Sequence, residues 1–164
     1  MKDIQEITLE KLNPEEFVEK QIKFIQEAVG DKIVISALSG GVDSAVATLL
    51  AHQALKDQLK VVFVENGLMR INADHIGETN QIKAWFKNLG IEVQIIEAKD
   101  KFFHALEGIE CPECKRKAIT ETFYKDIFAN LISDFGAKIL IQGTNFIDVK
   151  ETVACIKSQH NVLE

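Results

Sequence analysis

Apolar positions along this chain change their period several times. Phe17, Val18, Ile22, Ile25, Ala28 and Val29 recur at helical spacing, after Asn13-Pro14-Glu15-Glu16 and before Gly30. Asn as N-cap, Pro in the first turn and a terminal Gly bracket a predicted helix. Ile33 to Leu38 is a short, uncharged, β-branched run, which predicts a buried strand. The Ala- and Leu-rich run Ala45 to Ala51 predicts a helix. Lys60 to Val64 predicts a second buried strand. A helix is expected from about Asp74 to Leu89, with Ile76, Ile82, Trp85, Phe86 and Leu89 inward and Gly90 as its stop. Ile91 to Ile96 alternates with polar residues, as an edge strand does. Residues 97–117 show no clean period beyond a helical patch from Phe102 to Leu106. A long helix is expected from near Lys115 to Phe135, with Ile119, Phe123, Ile127, Leu131 and Phe135 on one face and Gly136 after it. Lys138 to Gln142 is a fourth predicted strand, and the remainder reads as loop with one short strand or helical turn. Strands separated by helices imply an α/β fold, a parallel sheet with helices on both faces.

Composition narrows the class. The chain has 164 residues, which suits a single domain spanning 1–164 with a loose polar lead-in over 1–12. A hydrophobic fraction of 46% and a charged fraction of 27% fit a globular protein. No apolar run approaches a membrane span, and the first residues lack a signal-peptide core. A cytoplasmic location is expected. The net charge of −6 argues against nucleic-acid binding by bulk charge and makes tRNA a weak candidate partner. Three cysteines form no disulfide framework.

The chemistry centres on Ser39-Gly40-Gly41-Val42-Asp43-Ser44, between the first strand and the next helix. Such a turn aims backbone N–H groups and the positive end of a helix dipole at one point, where a phosphate fits. Gly40 and Gly41 allow close approach, and Ser39 and Ser44 add hydroxyls. Asp43 makes sense beside a phosphate if Mg²⁺ lies between them. The stretch has neither the Lys of a Walker loop nor the third glycine of a dinucleotide fingerprint. The bland alternative is an ordinary turn with Asp43 as N-cap.

Ser-Gly-Gly-Val-Asp-Ser after a strand resembles the PP-loop ATP pyrophosphatases, whose fold is adenine-nucleotide alpha-hydrolase-like. Phe63 to Arg70, Ala98 to Leu106, Pro112-Glu113 with Lys115-Arg116-Lys117, Gln142-Gly143-Thr144 with Asp148-Val149 and Glu151, and Ile156 to Val162 resemble the ATP-pyrophosphatase domain of GMP synthetase. The resemblance implies ATP and Mg²⁺ as cofactors. It also implies adenylation of an oxygen on a nucleotide-like small molecule, release of pyrophosphate, and displacement of AMP by ammonia. The expected binding residues are the loop itself, with Val64, Leu68, Arg70, Gly143, Thr144 and Lys115. Asp43 and Lys157 are the expected catalytic residues. A separate amidotransferase subunit and a homodimer are the implied partners. The family's C-terminal dimerisation domain has no counterpart in these residues.

Cys111-Pro112-Glu113-Cys114 and Cys155 depart from that pattern. Sulfur-inserting members of the superfamily resemble this set, which would hold an iron–sulfur cluster or a persulfide. A zinc clip would need a fourth ligand, with His104 or His160 as candidates. Inert packing is the remaining reading of the thiols. His52 and His75 read as surface or packing residues. Three functions stay open: amination, thiolation through Cys111, Cys114 and Cys155, and a module that binds ATP or AMP without turnover.

Overall fold

A computed structural model of the chain describes residue 8 and residues 12–69, 77–145 and 148. Helix α1 (Pro14–Val29) starts where the cap signature places it: the Asn13 side chain accepts from the Glu16 amide at 3.3 Å. Strand β1 (Val34–Leu38) leads through the glycine turn into α2 (Val42–Leu55). A 3₁₀ turn (Lys56–Gln58) opens β2 (Leu59–Glu65). Helix α3 (Glu78–Asn88) and strand β3 (Val93–Glu97) follow, then α4 (Lys99–Leu106). Helix α5 (Pro112–Glu121), a π-helical segment (Thr122–Phe128) and α6 (Ala129–Phe135) run on without a break and end at Gly136. Strand β4 (Ile139–Ile141) closes the described order.

Among the described residues all the pairings are parallel, and the strand order is β3-β2-β1-β4. The chain therefore winds outward from β1 to β3, then crosses back to place β4 on the other side of β1. That reversal makes a switch point between β1 and β4, where adjacent loops diverge and leave a crevice beyond the strand ends. Strand β3 lies at an edge, as its alternating sequence implies.

The two sheet faces carry two cores. On one, Val34 and Leu38 of β1 and Val61 and Phe63 of β2 pack with Ala51 and Leu55 of α2 and Ile82 and Phe86 of α3. On the other, Ile35, Val62 and Val64 pack with Phe102 of α4, Ile127 and Phe128 of the π segment and Leu131 of α6. Period-2 alternation in β1 and β2 supplies both cores from the same two strands.

The expected apolar stripe from Ile119 to Phe135 repeats strictly every four residues. In a pure α-helix such a stripe drifts around the axis, because 3.6 residues make a turn. The π segment has wider i→i+5 turns and falls in the middle of the stripe, where it offsets that drift. Ile119, Phe123 and Phe135 consequently all pack against the same core as Ile127 and Leu131.

Helix α3 corrects one expectation. Trp85 and Leu89 were expected inward but are 61% and 57% exposed. The helix covers the sheet near an edge strand, and only the narrow stripe Ile82–Phe86 reaches it. Ile76 lies outside the described residues.

Candidate functional site

Buried hydroxyls lock the turn after β1 in place. Ser36 of β1 and Thr48 of α2 are both almost wholly buried, with their oxygens 2.7 Å apart. The Thr48 hydroxyl also donates to the Ser44 carbonyl at 2.7 Å. This clamp fixes the first turn of α2 against β1. The Ser44 hydroxyl donates to the Gly41 carbonyl at 2.9 Å and accepts from the Ser39 amide at 3.2 Å. Ser39 Oγ lies 3.0 Å from Ser44 Oγ. The loop is thus shaped by its own serines.

Gly41, not Asp43, is the N-cap of α2, so Asp43 belongs to the first helical turn. The first intrahelical bond at this end runs from Ala45 N to Gly41 O. The amides of Val42, Asp43 and Ser44 precede it and have no intrahelical partner, which is the anion-binding arrangement. Gly40 takes φ +82°, and a side chain there would meet the Glu78 carboxylate. Gly143, just beyond β4, approaches α2 even more closely. A Cβ at Gly143 would overlap the Ser44 amide nitrogen and lie 2.7 Å from the Asp43 carbonyl carbon. The switch point therefore brings the two loops into backbone contact.

A cavity of about 400 Å³ opens at this point. Its polar side is Ser39, Gly41, Asp43 and Ser44, with Asn66, Gln142, Gly143 and Asp148. Its apolar side includes Val64, Met69, Phe102, Ile119 and Phe123. Tyr124 also lines it and accepts from Gln142 Nε2 at 3.0 Å. Burial raises the Tyr124 phenol above its ordinary pKa, partly offset by the Gln142 hydrogen bond. Asn145 ties the far side of the site together. Its amide nitrogen Nδ2 donates to Asp43 Oδ2 at 3.1 Å, while its backbone N–H donates to Asp148 Oδ2 and its Oδ1 accepts from the Asp148 N–H.

Six of the sequence-derived site residues meet here. Ser39, Gly41, Asp43, Ser44, Val64 and Gly143 line the cavity. Gly40 gives the Glu78 side chain room against the loop, and Thr144 donates to the Gln142 side chain at 3.3 Å. Val42 is 76% exposed, Leu68 is 47% exposed, and Lys115 stands exposed on α5. None of these three lines the cavity, and Met69 occupies the wall beside Leu68. Arg116 pairs with Glu113 one helical turn away, which holds the Glu113 carboxyl below its ordinary pKa. Arg70, Cys155, Lys157, His75 and His160 lie outside the described residues.

Sequence reading placed Glu65, Asn66 and Gln142 within family-like stretches but gave none of them, nor Asn145, an individual role. Asn66 and Gln142 each directly follow a strand, and a polar residue at a parallel strand's carboxyl end was the available signal. Glu65 ends β2 nearly buried, accepting from the Gly67 amide at 3.0 Å and from the Thr79 hydroxyl. It pins the loop that carries Asn66 and Met69.

Among the described residues, no three His, Cys, Asp or Glu side chains gather as a metal site. Cys111 and Cys114 are exposed and unpaired as disulfides. Cys111 is the N-cap of α5 and makes no regular capping hydrogen bond. The nearby backbone and thiol of Cys114 still favour its thiolate and lower its pKa, whereas the Cys111 sulfur raises that of Cys114.

A parallel sheet with this serine- and glycine-built anion turn at its switch point defines the adenine-nucleotide alpha-hydrolase-like fold of the PP-loop ATP pyrophosphatases. A family model, NAD synthase, matches residues 14–135, and the chain belongs to that family. It is 49% identical over 151 residues to a subunit of the glutamine-hydrolyzing GMP synthase of Archaeoglobus fulgidus. It is 42% identical over 151 residues to the like-named subunit from Methanocaldococcus jannaschii. Each match covers 92% of this chain and 47% of the relative, so the chain spans about half the length of the curated relatives it matches. Among solved structures, an NH3-dependent NAD synthetase from Campylobacter jejuni, in complex with nitrate ion, superposes with a TM-score of 0.67 at 18% identity. That match covers 92% of this chain and 63% of the other. An NMN synthetase from Francisella tularensis gives 0.62 at 16% identity, covering 78% and 53%. At these identities the two structures bear on the fold alone.

Proposed function

We infer that the chain is a GMP-synthetase-like ATP pyrophosphatase, active in purine nucleotide synthesis. The observation that carries this reading is the cavity where Ser39 to Ser44 meets Gly143, in a chain 49% identical to a GMP synthase subunit. A volume of about 400 Å³ suits a nucleotide. The apolar wall of Val64, Met69 and Phe102 would take the base, and the first-turn amides of α2 the phosphates.

The reaction follows from that placement. An oxygen of the acceptor, a xanthine nucleotide in this reading, attacks the α-phosphorus of ATP. The bond from that phosphorus to the bridging oxygen breaks, and pyrophosphate leaves into the loop. Ammonia then attacks the adenylated carbon, the carbon–oxygen bond to AMP breaks, and the nitrogen gives up protons. The chain's contribution is positioning and charge neutralisation. The amides of Val42 to Ser44 bind the developing pyrophosphate, and the Ser39 and Ser44 hydroxyls shape the cradle. The site fits Mg²⁺: Asp43 and Asp148 both border the cavity, and carboxylates are hard oxygen donors. Asp43 would hold the ion, which when bound supplies positive charge to the phosphate oxygens. Lys115, Arg116, Lys117 and Lys157 are assigned to the departing charge of pyrophosphate, and Arg70 to nucleotide binding.

The relatives are named as subunits of a glutamine-hydrolyzing enzyme, which supports a separate amidotransferase chain as the ammonia source. In the same reading the chain forms a single ATP-pyrophosphatase domain, pairs as a homodimer and works in the cytoplasm. Among the described residues no helix is long and apolar enough to cross a membrane. The thiolation and non-catalytic readings find no support among these relatives.

The test is release of pyrophosphate and AMP from Mg-ATP, with xanthosine monophosphate and ammonium each supplied or withheld. Release that needs all the components supports the assignment. ATP bound stoichiometrically but never cleaved under any combination would favour the non-catalytic module.

A further inference from the structure

The proposed ligase reaction leaves one chemistry-bearing pair unused. Cys111 occupies the N-cap of α5 and Cys114 the first turn, three residues on. That spacing puts both side chains at the same end of the helix, one turn apart. Both are exposed and reduced. Pro112 between them lacks an amide hydrogen, so the first free amides of the helix after the Cys111 N-cap are those of Glu113 and Cys114. Neither cysteine lines the nucleotide cavity.

We propose that Cys111 and Cys114 form a thiol–disulfide exchange site, with Cys111 as the attacking thiol, Cys114 as the resolving thiol and a low-molecular-weight disulfide as co-reactant. The Cys111 thiolate attacks one sulfur of the small disulfide. A mixed disulfide forms and the first small thiolate leaves. Cys114 then loses its proton to solvent and attacks the Cys111 sulfur, which expels the second small thiolate. The protein dithiol is oxidised by two electrons, and the small disulfide is reduced to two thiols. The order of roles follows from position: Cys111 is the N-cap, at the positive end of α5 where a thiolate is favoured, and Cys114 follows three residues later, one turn along the same helix. The downward shift of the Cys111 pKa and the upward shift of Cys114 run the same way.

The experiment equilibrates the whole chain in a graded series of reduced and oxidised glutathione, blocks the remaining thiols by alkylation, and maps tryptic peptides by mass. The peptide 102–115 carries both cysteines and is separate from the one containing Cys155. It should lose two hydrogens and both alkyl labels as the series becomes oxidising, and regain both on reversal. Cys114→Ser should accumulate one glutathione on Cys111, and Cys111→Ser should take up glutathione at least about tenfold more slowly. Both positions are exposed, so the variants fold, and their circular dichroism confirms it. A peptide 102–115 that keeps both labels across the series would overturn the proposal. So would a bond from Cys155 to either residue, or equal glutathione uptake by the two variants.

Discussion

Asn145 Nδ2 donates to Asp43 Oδ2 at 3.1 Å, across 102 residues of sequence. The contact joins the loop after β4 to the first turn of α2 and orients the carboxylate that borders the cavity. Asn145 is itself held by reciprocal hydrogen bonds with Asp148. Asp43→Ala should cut pyrophosphate release by at least about 100-fold, the range seen when a group that stabilises developing charge is removed. Its melting temperature should move by no more than about 3 °C, because an exposed first-turn carboxylate contributes little to the fold. Asn145→Ala leaves the carboxylate present but unoriented, and should cost about tenfold. Equal losses in the two variants would show that Asn145 does more than orient Asp43.

Gly143→Ala tests the backbone contact at the switch point. The added Cβ would run into the Ser44 amide and the Asp43 carbonyl carbon, neither of which can rotate away. Overpacking of this kind costs about 1–3 kcal/mol. The strain falls on the amides that face the phosphates, so ATP binding should weaken along with stability. Calorimetry of nucleotide binding, run beside thermal melts, reads both. A variant with native stability and native ATP affinity would mean that the two loops separate freely.

Helix α3 gives a paired prediction about sidedness. Phe86 is 5% exposed within the core, while its neighbour Trp85 faces outward. Phe86→Ala should lose about 3–5 kcal/mol, and Trp85→Ala should stay within about 0.5 kcal/mol of the parent. Trp85 is the chain's only tryptophan, so its fluorescence should already sit at the emission of a solvated indole before unfolding. Urea melts followed by circular dichroism supply both free energies.

The contrast between these residues shows what the sequence could and could not reveal. Ile82, Trp85, Phe86 and Leu89 share one helical face, and periodicity alone weighs them equally. Which of them reaches the sheet depends on α3 lying near an edge, a tertiary fact. The strands, the caps of α1 and the anion turn were legible because each rests on local chemistry: β-branched runs, an Asn-Pro start, and glycines beside serines. The Ser36–Thr48 clamp was not legible, because two hydroxyls twelve residues apart carry no local signal of being buried together. Glu65 was hidden for the same reason, since its partners Gly67 and Thr79 lie 2 and 14 residues further along the sequence. The switch point itself appears only once β4 is paired with β1, and with it the roles of Gln142 and Asn145.

Tyr124 offers a probe of the cavity that needs no ligand. It is the only tyrosine in the chain, so the ultraviolet phenolate signal belongs to it alone. Burial disfavours the phenolate, and the midpoint should lie above the ordinary value of about 10. The unfolded chain ionises at that ordinary value, while the native state keeps its proton to higher pH. Between the two midpoints the unfolded state has lost a proton that the native state retains, so stability falls as pH rises through this window. Below the ordinary value the contribution is complete and flat. Tyr124→Phe cannot ionise and should lack this component of the alkaline loss, while giving up the Gln142 hydrogen bond at a cost of about 0.5–1.5 kcal/mol. Denaturant melts of both proteins from neutral to alkaline pH, beside the spectroscopic titration, measure the difference. A phenolate midpoint at or below the ordinary value would place Tyr124 in water rather than in the wall of the site.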